Sequence, residues 1–175
     1  LDSVTGGVNG KICEKLGLQN CKILQPAGGR LKKLVTFVPV DHANKVREAV
    51  FAAGAGQIGN YDSCSFNAHG QGTFRGSDTT NPFVGKKGEQ HYENEIRVET
   101  IFPDYLQGKV INALFQAHPY EEVAYDIYSL DNKFDQIGAG MIGLLPKEKS
   151  ETAFLRQLKK TFDVKMIRHT ALQDK

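Results

Sequence analysis

One segment of the chain, AHPYEEVAYDIY (Ala117 to Tyr128), sets a histidine beside two carboxylates: His118, Glu121 and Glu122. An imidazole with carboxylates is a donor set that suits borderline divalent cations. The same residues also suit a helix end. A histidine there meets the negative end of the helix dipole, Pro119 fixes the exit of the chain, and glutamates at a strand start are solvated. The residues alone favour this second, structural reading. Another segment, HGQGTFRG (His69 to Gly76), brings His69, Thr73 and Arg75 among glycines. Flexible backbone of this kind can bind an anion through its N–H groups. An irregular strand or hairpin edge is the alternative, and the favoured one.

Two further stretches, GAGQIG (Gly54 to Gly59) and GAGMIG (Gly138 to Gly143), fit G-x-G-x-x-G. Dinucleotide binding requires such glycines to follow a strand and open a helix, whose N-terminus then faces the pyrophosphate. The first stretch instead follows a helical pattern and leads into a strand. The second runs into Leu144, Leu145 and Pro146. Neither has the acidic residue, about 20 positions on, that the motif needs, so no dinucleotide site is expected. The histidines His42, His69, His91, His118 and His169 are scattered, with no pair at helical spacing. Neither a nucleophile elbow nor a P-loop occurs.

These side chains need elements to hold them. KKLVTFVPV (Lys32 to Val40) is β-branched and apolar, a strand. Asp41 is placed to cap a helix whose stripe is Val46, Ala49, Val50 and Ala53. A second strand is expected within Tyr61 to Gly76. A third runs over Glu89 to Pro103, where Ile96 and Val98 alternate with Arg97 and Glu99. A second helix carries Val110, Ile111, Leu114 and Phe115 inward and stops at Pro119. Glu121 to Asp131 is a fourth strand. The order is β-α-β-β-α-β, the ferredoxin-like plan, with both helices on one face of an antiparallel sheet. Outside it, residues 1 to 30 suggest a loop, a helix with Ile12, Leu16 and Leu18, and a linker at Gln25 to Arg30. Gly138 to Leu145 is a buried strand. Ser150 to Asp163 is a helix capped by Ser150, with Phe154, Leu155, Leu158 and Phe162 inward. Val164 to Leu172 is a further strand. A split host domain, residues 1–30 and 132–175, with an inserted domain at 31–131, accounts for this order.

A length of 175 residues suits one domain or one domain plus a fragment. A net charge of +2 gives no basic field for nucleic acid, and no apolar run reaches the roughly 18 residues of a membrane span. Three cysteines without paired spacing point to free thiols in a reducing, cytoplasmic compartment. There is no initiating Met, and the chain reads as an interior piece.

The ordered stretches GQIGNYDSCSFNAHGQGTFRG, NPFVGKKG, AHPYEEVAYDIY and GAGMIGLL resemble the Nif-three-like family, in the group described as GTP cyclohydrolase 1 type 2 homologues. The resemblance spans nearly the whole chain. It implies an α+β architecture: a ferredoxin-like inserted domain similar to PII and CutA proteins, plus part of an α/β host domain. It also implies a homo-oligomer, a trimer through the insert or a hexameric ring, and two divalent metal ions per subunit. Their ligands in the family are a His-His pair, an Asp, and a late His and Glu. LDSVTGGVNG resembles the stretch holding the Asp, which makes Asp2 a metal ligand. The histidine pair would lie before Leu1 and the late His and Glu after Lys175. The expectation is therefore a piece of a metal-dependent hydrolase that is inactive by itself. The alternative is a sensor, regulatory or assembly module binding a small molecule or nucleotide around His69, Thr73, Arg75, His118, Glu121 and Glu122.

Overall fold

A computed structural model of the chain describes residues 4–173. The chain divides into two compact units, one of residues up to Ala27 together with those from Lys133 onward, the other Gly28–Asn132.

In the first unit, α1 (Val8–Leu16) buries Cys13 and Leu16. It leads into β1 (Gln19–Ala27), which pairs antiparallel with β6 (Phe134–Leu144). After β6 comes α4 (Glu151–Thr161). The Ser150 hydroxyl accepts from the Ala153 N–H at 3.4 Å, the expected cap. The Gln157 amide donates to the Leu16 carbonyl at 3.1 Å and ties α4 to the end of α1. Two expectations fail here. Gln25–Ala27 is strand rather than linker. Within β1 only Ile23 is buried, so no alternation marks the strand, and pairing with β6 makes it one. Val164–Leu172 forms no strand: among the described residues no neighbouring strand pairs with it, and Met166 is exposed.

The second unit is ferredoxin-like. Its elements are β2 (Leu31–Pro39), α2 (Ala43–Ala52), β3 (Phe66–Phe74), β4 (His91–Pro103), α3 (Gln107–Ala117) and β5 (Tyr125–Leu130). The strand order is β3-β4-β2-β5, antiparallel throughout. One sheet face carries Leu34, Val38, Ile96, Val98 and Phe102. It packs against Val46 and Val50 of α2 and Val110 and Leu114 of α3. Each large apolar side chain buried there stabilises by about 1.5–3 kcal/mol, so this layer holds the unit together. Asp41 does not cap α2. It lies in a 3-10 turn, Val40–His42, that precedes the helix, and no side-chain bond caps the first turn. Phe115 is 49% exposed and Ala117 takes the inward position, because the stripe of a straight α-helix follows 110, 114 and 117. β5 begins at Tyr125, four residues later than expected, because Glu121, Glu122 and Ala124 wall a cavity instead while Val123 packs against the core.

Candidate functional site

The cavity lies on the sheet face turned away from the helices. Register pairs Ala68 with Arg97, Gly70 with Glu95 and Gly72 with Glu93. Directly opposed residues of an antiparallel pair share a face, so three very small side chains sit beside three long charged ones. The missing bulk leaves a hollow of about 720 Å³. Phe37 and Phe74 flank it. The loop after β3 covers it with Arg75, Thr80, Pro82 and Phe83, and Tyr120, Glu121 and Glu122 close the remaining side. The Asn81 N–H donates to Glu121 Oε1 at 2.8 Å, which pins the loop to that wall.

Glu95 is the unusual group. It is only 8% exposed, and its side chain lies over Gly72. A Cβ on Gly72 would fall 2.2 Å from Glu95 Oε2, so glycine is what lets the carboxylate lie flat across the strand. Oε1 accepts from the Tyr120 hydroxyl at 3.0 Å. Oε2 has no hydrogen-bond donor among the described residues. Burial pushes the Glu95 carboxyl up, and the neighbouring Glu93 charge adds to this, while the Tyr120 hydrogen bond opposes it. Burial and this same carboxylate raise the Tyr120 phenol, which remains a donor.

Tyr120 is held from below. Its ring centroid lies 5.0 Å from that of His118, 6.0 Å from Phe74 and 6.3 Å from Phe83. His118 Nδ1 accepts from the Tyr120 N–H at 3.1 Å, and Nε2 lies 3.0 Å from the Phe37 carbonyl. A backbone N–H requires a lone pair on Nδ1, so the proton sits on Nε2 and donates to that carbonyl. Burial lowers the His118 pKa and keeps the ring neutral. Both nitrogens are thus occupied by backbone. His118 stands behind the cavity wall, between the Phe37 carbonyl and the Tyr120 N–H.

The remaining expected site residues separate by strand alternation. Arg75, Glu121 and Glu122 line the cavity with His69 and Thr73. His69 and Thr73 fall between the inward positions of β3 and are exposed, so they contribute backbone to the wall. Asp2 lies outside the described residues. Among the described residues no group of three or more His, Cys, Asp or Glu side chains gathers to hold a metal ion.

Neither glycine fingerprint opens a helix. Gly54–Gly59 follows α2, with Gly56 at φ 81° and its N–H donating to the Ile101 carbonyl at 2.7 Å. Gly138–Gly143 lies inside β6.

Sequence reasoning missed Glu95, Tyr120, Phe74 and Phe83. A signal existed for Glu95: Glu93, Glu95, Arg97 and Glu99 alternate along β4, an unusually charged face for a central strand. Arg97 bridges to Glu99 at 2.9 Å and Lys33 to Glu99 at 3.0 Å, and the Lys33 bond holds the Glu99 carboxyl below the usual range. Among the described residues no helix is long and apolar enough to cross a membrane.

A model of the Duf34/NIF3 (NGG1p interacting factor 3) family matches residues 1–175. The chain is 46% identical over 165 residues to a Halalkalibacterium halodurans protein named GTP cyclohydrolase 1 type 2 homolog, covering 94% of this chain and 44% of that one. It is 41% identical over 169 residues to the protein of the same name from Bacillus subtilis, covering 96% and 45%. The crystal structure of a Bacillus cereus protein related to NIF3 superposes with a TM-score of 0.77 at 47% identity, covering 94% of this chain and 43% of that chain. The chain thus spans less than half the length of the relatives it matches.

Proposed function

The chain belongs to the Duf34/NIF3 family, and from that premise we propose that residues 28–132 are a small-molecule-binding, regulatory module of a longer protein. The observation that carries this reading is the cavity of about 720 Å³ with a buried carboxylate in it. Its size lies in the ordinary range of small-ligand pockets, and it is mainly apolar with a few polar groups. An NMR titration of the ¹⁵N-labelled chain with a fragment library of amines, alcohols and carboxylates tests it. Saturable shifts at the Gly70 and Gly72 amides are expected, and a library that leaves both unmoved overturns the reading.

Divalent-metal hydrolysis is proposed for the longer protein, with Asp2 as this chain's contribution to two ions. The name carried by the relatives makes GTP the substrate to try. One carboxylate holds a divalent cation weakly. The 175-residue chain assayed with GTP and Zn²⁺, Mg²⁺ or Mn²⁺ should therefore give no turnover above buffer, and measurable turnover overturns this. The free thiols Cys13, Cys21 and Cys64 support a reducing, cytoplasmic setting.

Self-association is a second reading, favoured by exposed aromatics on the sheet unit: Phe66 at 68%, Tyr92 at 61% and Tyr128 at 50%. Phe66 lies on the edge strand β3, whose outer backbone groups are free to pair. Light scattering of the chain should give a trimer, and a monomer at high protein concentration removes this reading.

A further inference from the structure

We infer that the cavity on the open sheet face takes an organic ammonium ion with an apolar or aromatic body, its N–H groups donating to Glu95 Oε2. The inference rests on the cavity reading above and names its ligand class.

Three observations carry it. First, Glu95 is more than nine-tenths buried and Tyr120 satisfies Oε1 alone, leaving Oε2 without a donor among the described residues. That oxygen is not sealed off, since the buried unpartnered side-chain atoms among the described residues are Arg30 Nε and Asp104 Oδ1; it is open to a ligand N–H, and a charge-assisted hydrogen bond to a carboxylate is among the stronger ones. Second, the charge of the lining is unbalanced. Glu95, Glu121 and Glu122 line the cavity against Arg75 and Arg97, three carboxylates to two guanidiniums. Glu93 adds a further carboxylate beside Glu95, itself 2.8 Å from His91 Nε2. The interior of the site is therefore negative, which disfavours an anion and favours a cation. Third, the rings of Phe74, Phe83 and Tyr120 stand together at the same end as Glu95. Aromatic faces attract a desolvated ammonium through their quadrupoles, and the carboxylate beside them supplies the opposite charge. The bare backbone at Gly70, where a Cβ would meet nothing within 4 Å, gives the ligand's body a flat floor beside the carboxylate that covers Gly72.

The test compares three probes of one shape on the full chain: 2-phenylethylammonium, neutral 2-phenylethanol and anionic 3-phenylpropanoate. Each is titrated while the Gly70 and Gly72 amides are followed by NMR. The ammonium should bind at least tenfold more tightly than the other two. Glu95→Gln keeps an acceptor for the Tyr120 hydroxyl and removes the charge, and it should weaken the ammonium at least tenfold with the rest of the amide spectrum unmoved. Tyr120→Phe removes the competing donor and should bind the ammonium at least as well as the parent. Equal or tighter binding of the alcohol or carboxylate, or unchanged ammonium binding by Glu95→Gln, overturns the ligand class and leaves the cavity reading standing. If none of the three binds while other fragments shift both glycines, the ligand class again fails alone. If no fragment shifts them, both fall.

Discussion

Replacing His118 by alanine should destabilise the residue 28–132 unit by about 2–4 kcal/mol, the largest effect expected of any single polar change in it. The ring is 6% exposed and bonded to backbone through both nitrogens. Its removal orphans the Phe37 carbonyl and the Tyr120 N–H in a place water reaches poorly, and each buried group left without a partner costs roughly 1–3 kcal/mol. The pairing of β5 with β2 stops at Thr36 and Tyr125, so no further strand pair with β5 is present at Phe37 to take over. The measurement is convenient. All six tyrosines, Tyr61, Tyr92, Tyr105, Tyr120, Tyr125 and Tyr128, lie in this unit and the chain has no tryptophan. Tyrosine fluorescence during urea unfolding therefore reports on it alone. A loss below about 0.5 kcal/mol, the level of ordinary surface substitutions, would show that His118 is not the support described.

Glu95→Gln should act in the opposite direction, and its effect should depend on pH. Burial raises the Glu95 carboxyl in the folded state. A raised acid favours folding while it is protonated in both states, and that contribution is lost as pH rises through the folded-state value. The parent should therefore weaken from about pH 4.3, the ordinary glutamate value, upward. The amide variant titrates nowhere and still accepts from Tyr120, so it should not weaken. The difference in melting temperature should be near zero at about pH 4 and reach a few degrees in favour of Glu95→Gln at about pH 7. A variant less stable than the parent at neutral pH would mean that the carboxylate charge is satisfied in the unliganded protein, contrary to the account of Oε2. The two substitutions test one column of contacts from opposite ends: His118 holds Tyr120, and Tyr120 holds Glu95.

The helices and strands of the second unit were legible because local periodicity records burial. Val46, Val50, Val110 and Leu114 mark helix stripes, and Ile96 and Val98 mark a strand face. β1 was not legible, since a strand with one buried side chain carries little alternation and is defined by its partner across the sequence. The cavity was half legible. HGQGTFRG and the HPYEE run were singled out by residue type. That they meet on one sheet face depends on pairings between residues far apart in the chain, and which side chains turn inward depends on strand phase. The small residues Ala68, Gly70 and Gly72 proved to matter through the space they leave, and His118 through what it supports. Nothing local in the sequence marks Glu95 as buried, because Tyr120 and the loop after β3, which stand around it, come from distant parts of the chain.

Where the Gly28–Asn132 unit starts and stops, Ala27 pairs with Phe134 just outside it and Leu31 with Leu130 just inside it. Its two ends are therefore close neighbours, as in domains that tolerate insertion and permutation. A stretch bounded this way can be acquired, exchanged or discarded whole, since β1 and β6 could be rejoined by a short hairpin.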